Sequence, residues 1–211
     1  MVAAKKTEEV VTIKAPNFEI LSIKIKGVAP LCQARFSKKA ELMANMQDTT
    51  TKSKKQRVAR DYDKDMRDAL HVSTEGWYGI PASAFRNAAI DVCRMVGFKM
   101  THAKMSVFIE ADGFDLHEGQ PLVRLLVGEP ERLDMATRNA NGSVDVRSRP
   151  MWRDWGAVVR VRFDADQFKR SDVVNLISRA GMQVGVGEGR PFSKSSAGMG
   201  FGMFEVEAYT E

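Results

Sequence analysis

The amino-acid sequence predicts an α+β fold in which an antiparallel sheet carries two helices on one face. Two segments show the apolar spacing of amphipathic helices, and segments with the pattern of strands precede and follow each of them. The 211 residues are 44% hydrophobic and 28% charged, which is enough apolar material for one packed core. This composition excludes collagen-like, coiled-coil and wholly disordered chains.

The first part of the chain contains a strand, a short helix and a hairpin. In residues 18–29, isoleucines alternate with lysines at positions 23–26, which is typical of a strand with one exposed face. Residues 37–47 predict a short helix with Ser37 as its cap. Residues 70–80 predict a β-hairpin that turns at Glu75-Gly76.

The first long helix follows directly. Pro81 suits a helix start, so the helix is expected to begin at Ala82 or Ser83 and to end at Gly97. An apolar stripe recurs every three or four residues and comprises Phe85, Ala89, Val92 and Val96. Arg86 and Arg94 lie eight residues apart, on roughly the same polar side.

The second half repeats the order of strand, helix and strand. Strands are expected at 105–111, 121–127, 155–163, 182–186 and 201–208. Asn141-Gly142 predicts the tip of a hairpin whose arms are too polar for a core position, so this hairpin should project or lie on the surface. Ser171 is expected to cap a helix over 172–180 that Gly181 ends.

This order of elements predicts a single ferredoxin-like (RRM-like) domain that spans residues 1–211. Two segments do not belong to that plan and are interpreted as insertions. One is a basic arm at 37–70, and the other is the projecting hairpin at 131–149.

The positive charge of the chain is concentrated in one place. Residues 52–60 carry five cations and no acid, which equals the net charge of +5 for the whole chain. Such a block attracts polyanions, and its binding would weaken with salt as counterions are released. The alternative is a solvated, mobile loop without a partner.

A glycine-rich segment forms the second candidate site. Six of the 16 glycines fall within residues 185–202, together with Arg190, Ser193, Lys194 and Ser195. The segment matches neither a Walker A loop nor a Rossmann turn, because no helix follows it, so no nucleotide cofactor is expected. It could form a backbone-lined groove for nucleic-acid phosphates, or a crossover between two adjacent strands.

Other classes of site have little support in the sequence. Cys32 and Cys93 are the only cysteines and, like the three histidines, lack the spacing of metal ligands, so no metal is expected. Two thiols favour a reducing, cytoplasmic location. No apolar run approaches the roughly 20 residues that a membrane helix needs, and no secretory signal is visible, so no membrane partner is expected.

Two motifs resemble the RAMP superfamily, the RNA-binding proteins of CRISPR effector complexes. Residues 80–88, IPASAFRNA, resemble the helix start I-P-G-S-S-x-R-G-A, although Ala82 replaces the usual glycine. Residues 185–206, GVGEGRPFSKSSAGMGFGMFEV, resemble the family's C-terminal glycine-rich loop and strand. The two segments together cover 31 of the 211 residues. The chain is short for a CRISPR backbone subunit, which favours a stand-alone, phage-encoded relative.

The resemblance implies binding of single-stranded nucleic acid, with RNA favoured and DNA as the alternative, by a subunit that forms a homo-oligomer or filament along the strand. In this family a mobile arm and a thumb-like hairpin accompany such binding. The residues expected to contact nucleic acid are Lys52, Lys54, Lys55, Arg57, Arg60, Arg86, Arg147, Arg149, Trp152, Arg153, Gly187, Gly189, Arg190, Ser193, Lys194 and Ser195. Trp152 and Trp155 are candidates for base stacking, or they pack at the base of the hairpin.

A catalytic alternative stays open, because some relatives are metal-independent ribonucleases. His71, His102 and Asp48 are its candidate residues, but none has a recognisable partner in the sequence. The main hypothesis is therefore a non-catalytic, sequence-tolerant binder with no catalytic residue. A third hypothesis is a protein-interaction factor that mimics a CRISPR subunit.

Overall fold

The computed structural model describes residues 13–35, 61–138, 144–192 and 198–209. Its strands are β1 (Phe18–Gly27), β2 (Leu31–Cys32), β3 (Gly79–Pro81), β4 (Val107–Glu110), β5 (Gly113–Phe114), β6 (Pro121–Leu126), β7 (Glu131–Arg138), β8 (Val144–Trp152), β9 (Gly156–Asp164) and β10 (Phe204–Tyr209). Its helices are α1 (Tyr62–Asp68), α2 (Ala82–Met95), α3 (Met100–Ser106) and α4 (Arg170–Arg179), and α4 continues into a π-helical turn over Ala180–Val184.

A seven-stranded sheet forms the centre of the molecule. Its strand order is β10-β1-β9-β6-β3, and every pairing in it is antiparallel. The outer edge of β9 is shared, because β6 pairs with its first residues and β4 pairs with Arg160 to Phe163 further along. β5 extends the sheet by pairing with β6. The predicted α+β class with an antiparallel sheet is confirmed.

The two long helices and the sheet enclose one core. The alternation in β1 buries Leu21, Ile23 and Ile25, and β9 alternates in the same way. The predicted stripe of α2 is buried at Phe85, Ala89 and Val92, but Val96 lies at the C-cap and is 52% exposed. α4 buries its apolar stripe as well. Burying each large aliphatic or aromatic side chain contributes about 1.5–3 kcal/mol, so these faces fix the register of both helices on the sheet.

The predicted polar hairpin is present and belongs to a second sheet of order β2-β8-β7. Its pairs run from Glu131 opposite Met151 to Arg138 opposite Val144, and its tip at 139–143 lies outside the described residues. β2 pairs with the base of β8, and Arg132 in β7 forms an ion pair of 2.6 Å with Asp63 in α1. The base of the hairpin is therefore attached to the rest of the protein on two sides.

Two predictions for the second helix are wrong. α4 begins at Arg170, not after Ser171, because the carboxylate of Asp172 accepts a hydrogen bond of 3.2 Å from the Lys169 backbone N–H and caps the helix there. Gly181 does not end the helix, and residues 182–186 form no strand, since the chain continues into the π-helical turn that Gly185 N–H closes on Ala180 O at 2.8 Å. A Cβ at Gly181 would collide with Phe204, so the glycine permits this close packing.

Other predictions are confirmed with shifted boundaries. α2 begins at Ala82, and Gly97 follows it with a positive φ of 76°. The hairpin at 70–80 is reduced to one bridge between Val72 and Tyr78. The strand expected from residue 105 begins at Val107, because residues 100–106 form α3. The helix expected over 37–47 lies outside the described residues.

The end of the predicted basic arm that the structure describes is a helix rather than a basic segment. α1 contains Asp63, Asp65 and Asp68 but only Lys64 and Arg67 as cations. The Asp61 side chain accepts from Lys64 N–H at 3.0 Å and caps this helix. Within the ranges that the structure describes, no helix combines the length and apolar character needed to cross a membrane.

Candidate nucleic-acid interface

One cavity brings together the two motifs that the sequence singles out. It has a volume of about 320 Å³, and its walls include Pro81, Ser83 and Asn87 from the start of α2 and Gly187 and Arg190 from the glycine-rich segment. The two motifs meet because the π-helical turn, which leads into the glycines, packs directly against α2. Residues remote in sequence therefore line one concave site.

The glycine-rich segment folds closely against its own protein. All six of its glycines have positive φ. At Gly187 φ is 81°, and an added Cβ would lie 2.5 Å from the backbone oxygen of Cys32 in β2. At Gly189 an added Cβ would lie 2.9 Å from the Phe201 ring. These glycines therefore let the segment pack closely against the protein itself, as the crossover alternative predicts. The segment also forms one wall of the cavity.

Two of the predicted arginines hold this segment in place. Arg190 Nη1 donates to the backbone oxygen of Gly187 at 2.9 Å. Arg149 in β8 forms a half-buried ion pair with Glu188 and donates through Nη1 to Ser148 O at 3.2 Å. The charge of Arg149 is therefore largely compensated by Glu188, and its position fixes the glycine-rich segment against the hairpin.

A buried trio of charged and polar side chains lies beside the cavity, and two of its members line the cavity wall. His71 Nδ1 is 3.0 Å from Asp115 Oδ2, and Arg35 Nη1 is 3.9 Å from Asp115 Oδ1. The side chains of Arg35, His71 and Asp115 are only 4%, 9% and 0% exposed. Asp115 Oδ1 also accepts from the backbone N–H groups of His117 and Glu118, at 2.8 and 2.9 Å.

The trio has defined protonation states at neutral pH. Burial lowers the pKa of His71 from its ordinary value of 6.5 and outweighs the opposing effect of Asp115. Burial alone would raise the pKa of Asp115, but the two backbone N–H donors and His71 together lower it. An ionised Asp115 can only accept, so His71 donates through Nδ1–H and keeps Nε2 as a base.

The structure corrects the assignment of Trp152 as a stacking residue. Trp152 is 3% exposed, packs on the Tyr78 ring at 5.6 Å between centroids, and donates through Nε1 to Gly128 O at 3.0 Å. Trp155 is equally buried and donates to Ala29 O at 2.8 Å. Neither ring presents a face to solvent. The structure therefore shows the alternative, in which both rings pack at the base of the hairpin.

Three other predicted residues lie away from the cavity. Arg86 donates to the backbone oxygens of Val107, at 3.0 Å, and Lys104, so it joins α2 to the α3–β4 segment. Arg153 is exposed in the turn before β9 and forms an ion pair of 3.1 Å with Glu131. Arg147 lies in β8 on the hairpin.

The remaining candidates lie outside the described residues. These are Lys52, Lys54, Lys55, Arg57 and Arg60 of the basic arm, Ser193, Lys194 and Ser195 of the glycine-rich segment, and Asp48.

Sequence reasoning missed Arg35 and the partner of His71. Asp115 is 44 residues from His71 along the chain, and Arg35 precedes His71 in a different segment, so no local spacing indicates the trio. The only local signal is polarity at Gln33, which is 2% exposed and bridges His71 N–H and Gly79 O at 3.2 and 2.8 Å. These residues meet only in the folded protein.

The arrangement offers hydrogen-bond donors and positive charge in a concave site, together with a neutral histidine. In the part of the chain that the structure describes, no group of three or more His, Cys, Asp or Glu side chains could hold a metal ion. Comparison of the chain with protein-family models finds no match, and comparison with the curated proteins also finds none.

Proposed function

We propose that this protein binds single-stranded nucleic acid, RNA in preference to DNA, without reading its sequence and without cleaving it. The proposal includes membership of the RAMP superfamily and a ferredoxin-like core of β1, α2, β4, β9, α4 and β10. The order β10-β1-β9-β4 across the sheet supports this core, since it places the first and third strands in the middle.

The single observation that carries the proposal is the cavity shared by the start of α2 and the glycine-rich segment. These are the two segments that resemble the RAMP motifs, and Arg35, Arg190 and the first turn of α2 all contribute to its wall. Arginine and backbone N–H groups are the donors that proteins direct at phosphate oxygens.

The chemistry of the wall also supports sequence tolerance. Contacts to phosphates fix a nucleic-acid strand in place but carry no information about its bases. Among the described residues in the cavity wall there is no Phe, Tyr or Trp, and His71 is the one aromatic ring, so the wall lacks a large stacking platform for bases. Cys32 and Cys93 are unpaired and buried, which supports the proposed reducing, cytoplasmic location.

The experiment is a fluorescence-anisotropy titration of labelled single-stranded RNA, single-stranded DNA and duplex, each of mixed and of homopolymer sequence, over a series of salt concentrations. The proposal expects binding to single strands of all sequences with an affinity that falls linearly on a log–log plot against salt. Arg190→Gln should weaken binding, whereas Arg94→Gln, an exposed arginine in the last turn of α2, should not. Absence of binding at low salt would refute the proposal.

Self-association along the nucleic-acid strand is part of the same proposal. Electron microscopy with and without a long oligonucleotide measures it directly. Filaments or rings that form only with oligonucleotide would support it, and single particles under saturating conditions would contradict it.

One observation favours a second candidate, a metal-independent ribonuclease. His71 lines the cavity, and Asp115 orients it with Nε2 as a base. In such a reaction Nε2 would take the proton of the 2′-hydroxyl, the 2′-oxygen would bond to phosphorus, and the 5′-oxygen would leave with a proton from water. Labelled RNA incubated in EDTA with the wild type and His71→Ala tests this, and intact RNA with the wild type removes the candidate.

A further inference from the structure

The guanidinium of Arg35 has a donor that no described residue satisfies. Its Nε donates to Asp68 O at 3.2 Å, but Nη1 is 3.9 Å from Asp115 Oδ1, beyond hydrogen-bond distance. Nη1 is buried and has no hydrogen-bond partner among the described residues. An unsatisfied buried donor costs about 1–3 kcal/mol, and more when it is charged. A water, an ion or a bound ligand can supply the missing acceptor of such a group.

The start of α2 faces the same cavity with further donors that have no partner within the helix itself. The first N–H groups of a helix have no partner within it, and the N-cap of α2, Pro81, has no side chain that could accept from them. No acidic side chain lies in the first turn of this 14-residue helix, so its positive end is not neutralised from within. Pro81, Ser83 and Ala84 line the cavity, and Ser83 is exposed there.

The charged groups around the cavity select an anion by directed contacts and not by net charge. Arg35 and Arg190 contribute two positive charges to the wall, and Asp91 and Glu118 contribute two negative ones. The buried Asp115 carboxylate, 3.9 Å from Arg35, adds a third negative charge next to the wall. Asp91 lies eight residues beyond Ser83, roughly 12 Å further along the helix axis at 1.5 Å per residue. An anion at the start of α2 is therefore close to these donors and away from Asp91.

We propose that this cavity is a phosphate-binding pocket that receives one backbone phosphate of the bound nucleic-acid strand. In the complex, the Arg35 guanidinium turns its free nitrogen to one phosphate oxygen, and the first-turn N–H groups and Ser83 hydroxyl of α2 contact another. A volume of 320 Å³ is at the lower end of the range of ligand sites, about 300–1,000 Å³, which suits one nucleotide unit. The inference deepens the proposed function and rests on it for the source of the phosphate.

The decisive variant is Ser83→Asp, with Ser171→Asp as its matched control. Both serines are exposed and are the second residue of their helix, α2 and α4. An acid in the first turn favours either helix through the helix dipole, so neither change should prevent folding. Only Ser83→Asp adds a negative charge to the cavity wall.

The first measurement is the melting temperature in inorganic phosphate and in chloride at equal ionic strength. A ligand that binds only the folded state raises the melting temperature with its concentration. We expect phosphate to stabilise the wild type and Ser171→Asp equally, and Ser83→Asp to bind phosphate at least about tenfold more weakly. The proposed phosphate pocket would be refuted if phosphate stabilised all three proteins equally, or if it did not stabilise the wild type.

A second variant tests Arg35 directly. Arg35→Gln keeps a hydrogen-bond donor but removes the charge, and it should abolish the difference between phosphate and chloride. If this variant melts without a cooperative transition, Ser83→Asp and Ser171→Asp still decide the outcome. Retention of the full phosphate effect in a folded Arg35→Gln protein would overturn the role of Arg35.

Anisotropy with oligonucleotides separates this inference from the proposed function. If Ser83→Asp binds oligonucleotides as well as the wild type does, the phosphate pocket is refuted but the proposed function is not. If the stabilisation by phosphate depends on Ser83 but no oligonucleotide binds, the phosphate pocket is supported and the proposed function is refuted. Equal affinity for oligonucleotides with and without a 5′-phosphate supports an internal phosphate, and a preference for the 5′-phosphate would overturn that assignment.

Discussion

Replacing Gly187 with alanine should destabilise the protein through two separate physical effects. At φ 81°, a residue with a Cβ costs about 1–2 kcal/mol more than glycine. The added Cβ would also lie 2.5 Å from Cys32 O, which accepts a hydrogen bond of 2.8 Å from Glu188 N–H. Relieving that contact weakens this bond, worth about 0.5–1.5 kcal/mol. The total is about 1.5–3.5 kcal/mol.

Gly200→Ala is the matched control, because it isolates the first effect. Gly200 has nearly the same φ, 79°, but an added Cβ there meets nothing within 4 Å. Its cost should therefore be only the conformational one, about 1–2 kcal/mol. For a chain of this length the additional contribution of about 0.5–1.5 kcal/mol in Gly187→Ala corresponds to a melting temperature roughly 1–6 °C below that of Gly200→Ala.

The assay is urea denaturation of the two variants and the wild type at equal protein concentration, followed by anisotropy with single-stranded RNA. We expect both variants to lose stability, Gly187→Ala the more, and only Gly187→Ala to weaken RNA binding, since it shifts the cavity wall. Equal destabilisation of the two variants would refute the close packing of Gly187 against β2, and with it the described position of that wall.

Three further predictions follow from the buried residues and the basic arm. Trp152→Phe should cost about 1 kcal/mol, since it removes a buried hydrogen bond, and should leave oligonucleotide affinity unchanged, as measured by urea denaturation and anisotropy. The lowered pKa of His71 means that the unfolded state takes up a proton first as pH falls below its ordinary value of 6.5, so unfolding free energy should fall with pH from 7 towards 5. His71→Asn, which still offers a donor to Asp115, should remove that slope, and a slope identical to that of the wild type would show that another group titrates. The double variant Lys54→Ala/Lys55→Ala should weaken binding of all oligonucleotide sequences alike and make the affinity less dependent on salt concentration. Unchanged binding would show that the basic arm does not contact nucleic acid.

The sequence predicts the main helices and strands well where one apolar pattern decides the structure. The stripe of α2 and the alternation of β1 each have only one face that can enter the core, so periodicity identifies both. The Asn141-Gly142 hairpin is predicted correctly in its strands, because eight register pairs follow from that turn position.

Predictions that rest on a single residue, such as a glycine expected to end a helix, fail where tertiary packing determines the local structure. Gly181 is a common helix stop in sequence terms, but its missing side chain serves the close approach of Phe204 and the helix continues. Trp152 looks like a stacking residue beside arginines, but its position opposite Leu31 in the second sheet directs the ring inward. Local sequence contains no information about either neighbour.

Only part of the candidate site could be predicted from the sequence. Both motifs are visible in the sequence, and their meeting follows from the packing of the π-helical turn against α2. The trio of Arg35, His71 and Asp115 could not be predicted, because its members come from three segments that meet only in the folded protein. A bridge between Ser73 and Asp115 and a hydrogen bond of 3.1 Å from Arg35 N–H to Ala69 O bring them together.

The most direct test of the account is a titration of isotope-labelled protein with a short single-stranded RNA at low salt, followed by backbone amide NMR shifts. The account predicts that the largest shifts occur at Ser83, Ala84 and Gly187, the amides at the cavity wall. Smaller shifts are expected at the exposed end of α2. An RNA that leaves these three amides unmoved, whether it binds elsewhere or nowhere, would contradict the central claim that this cavity holds the nucleic-acid backbone.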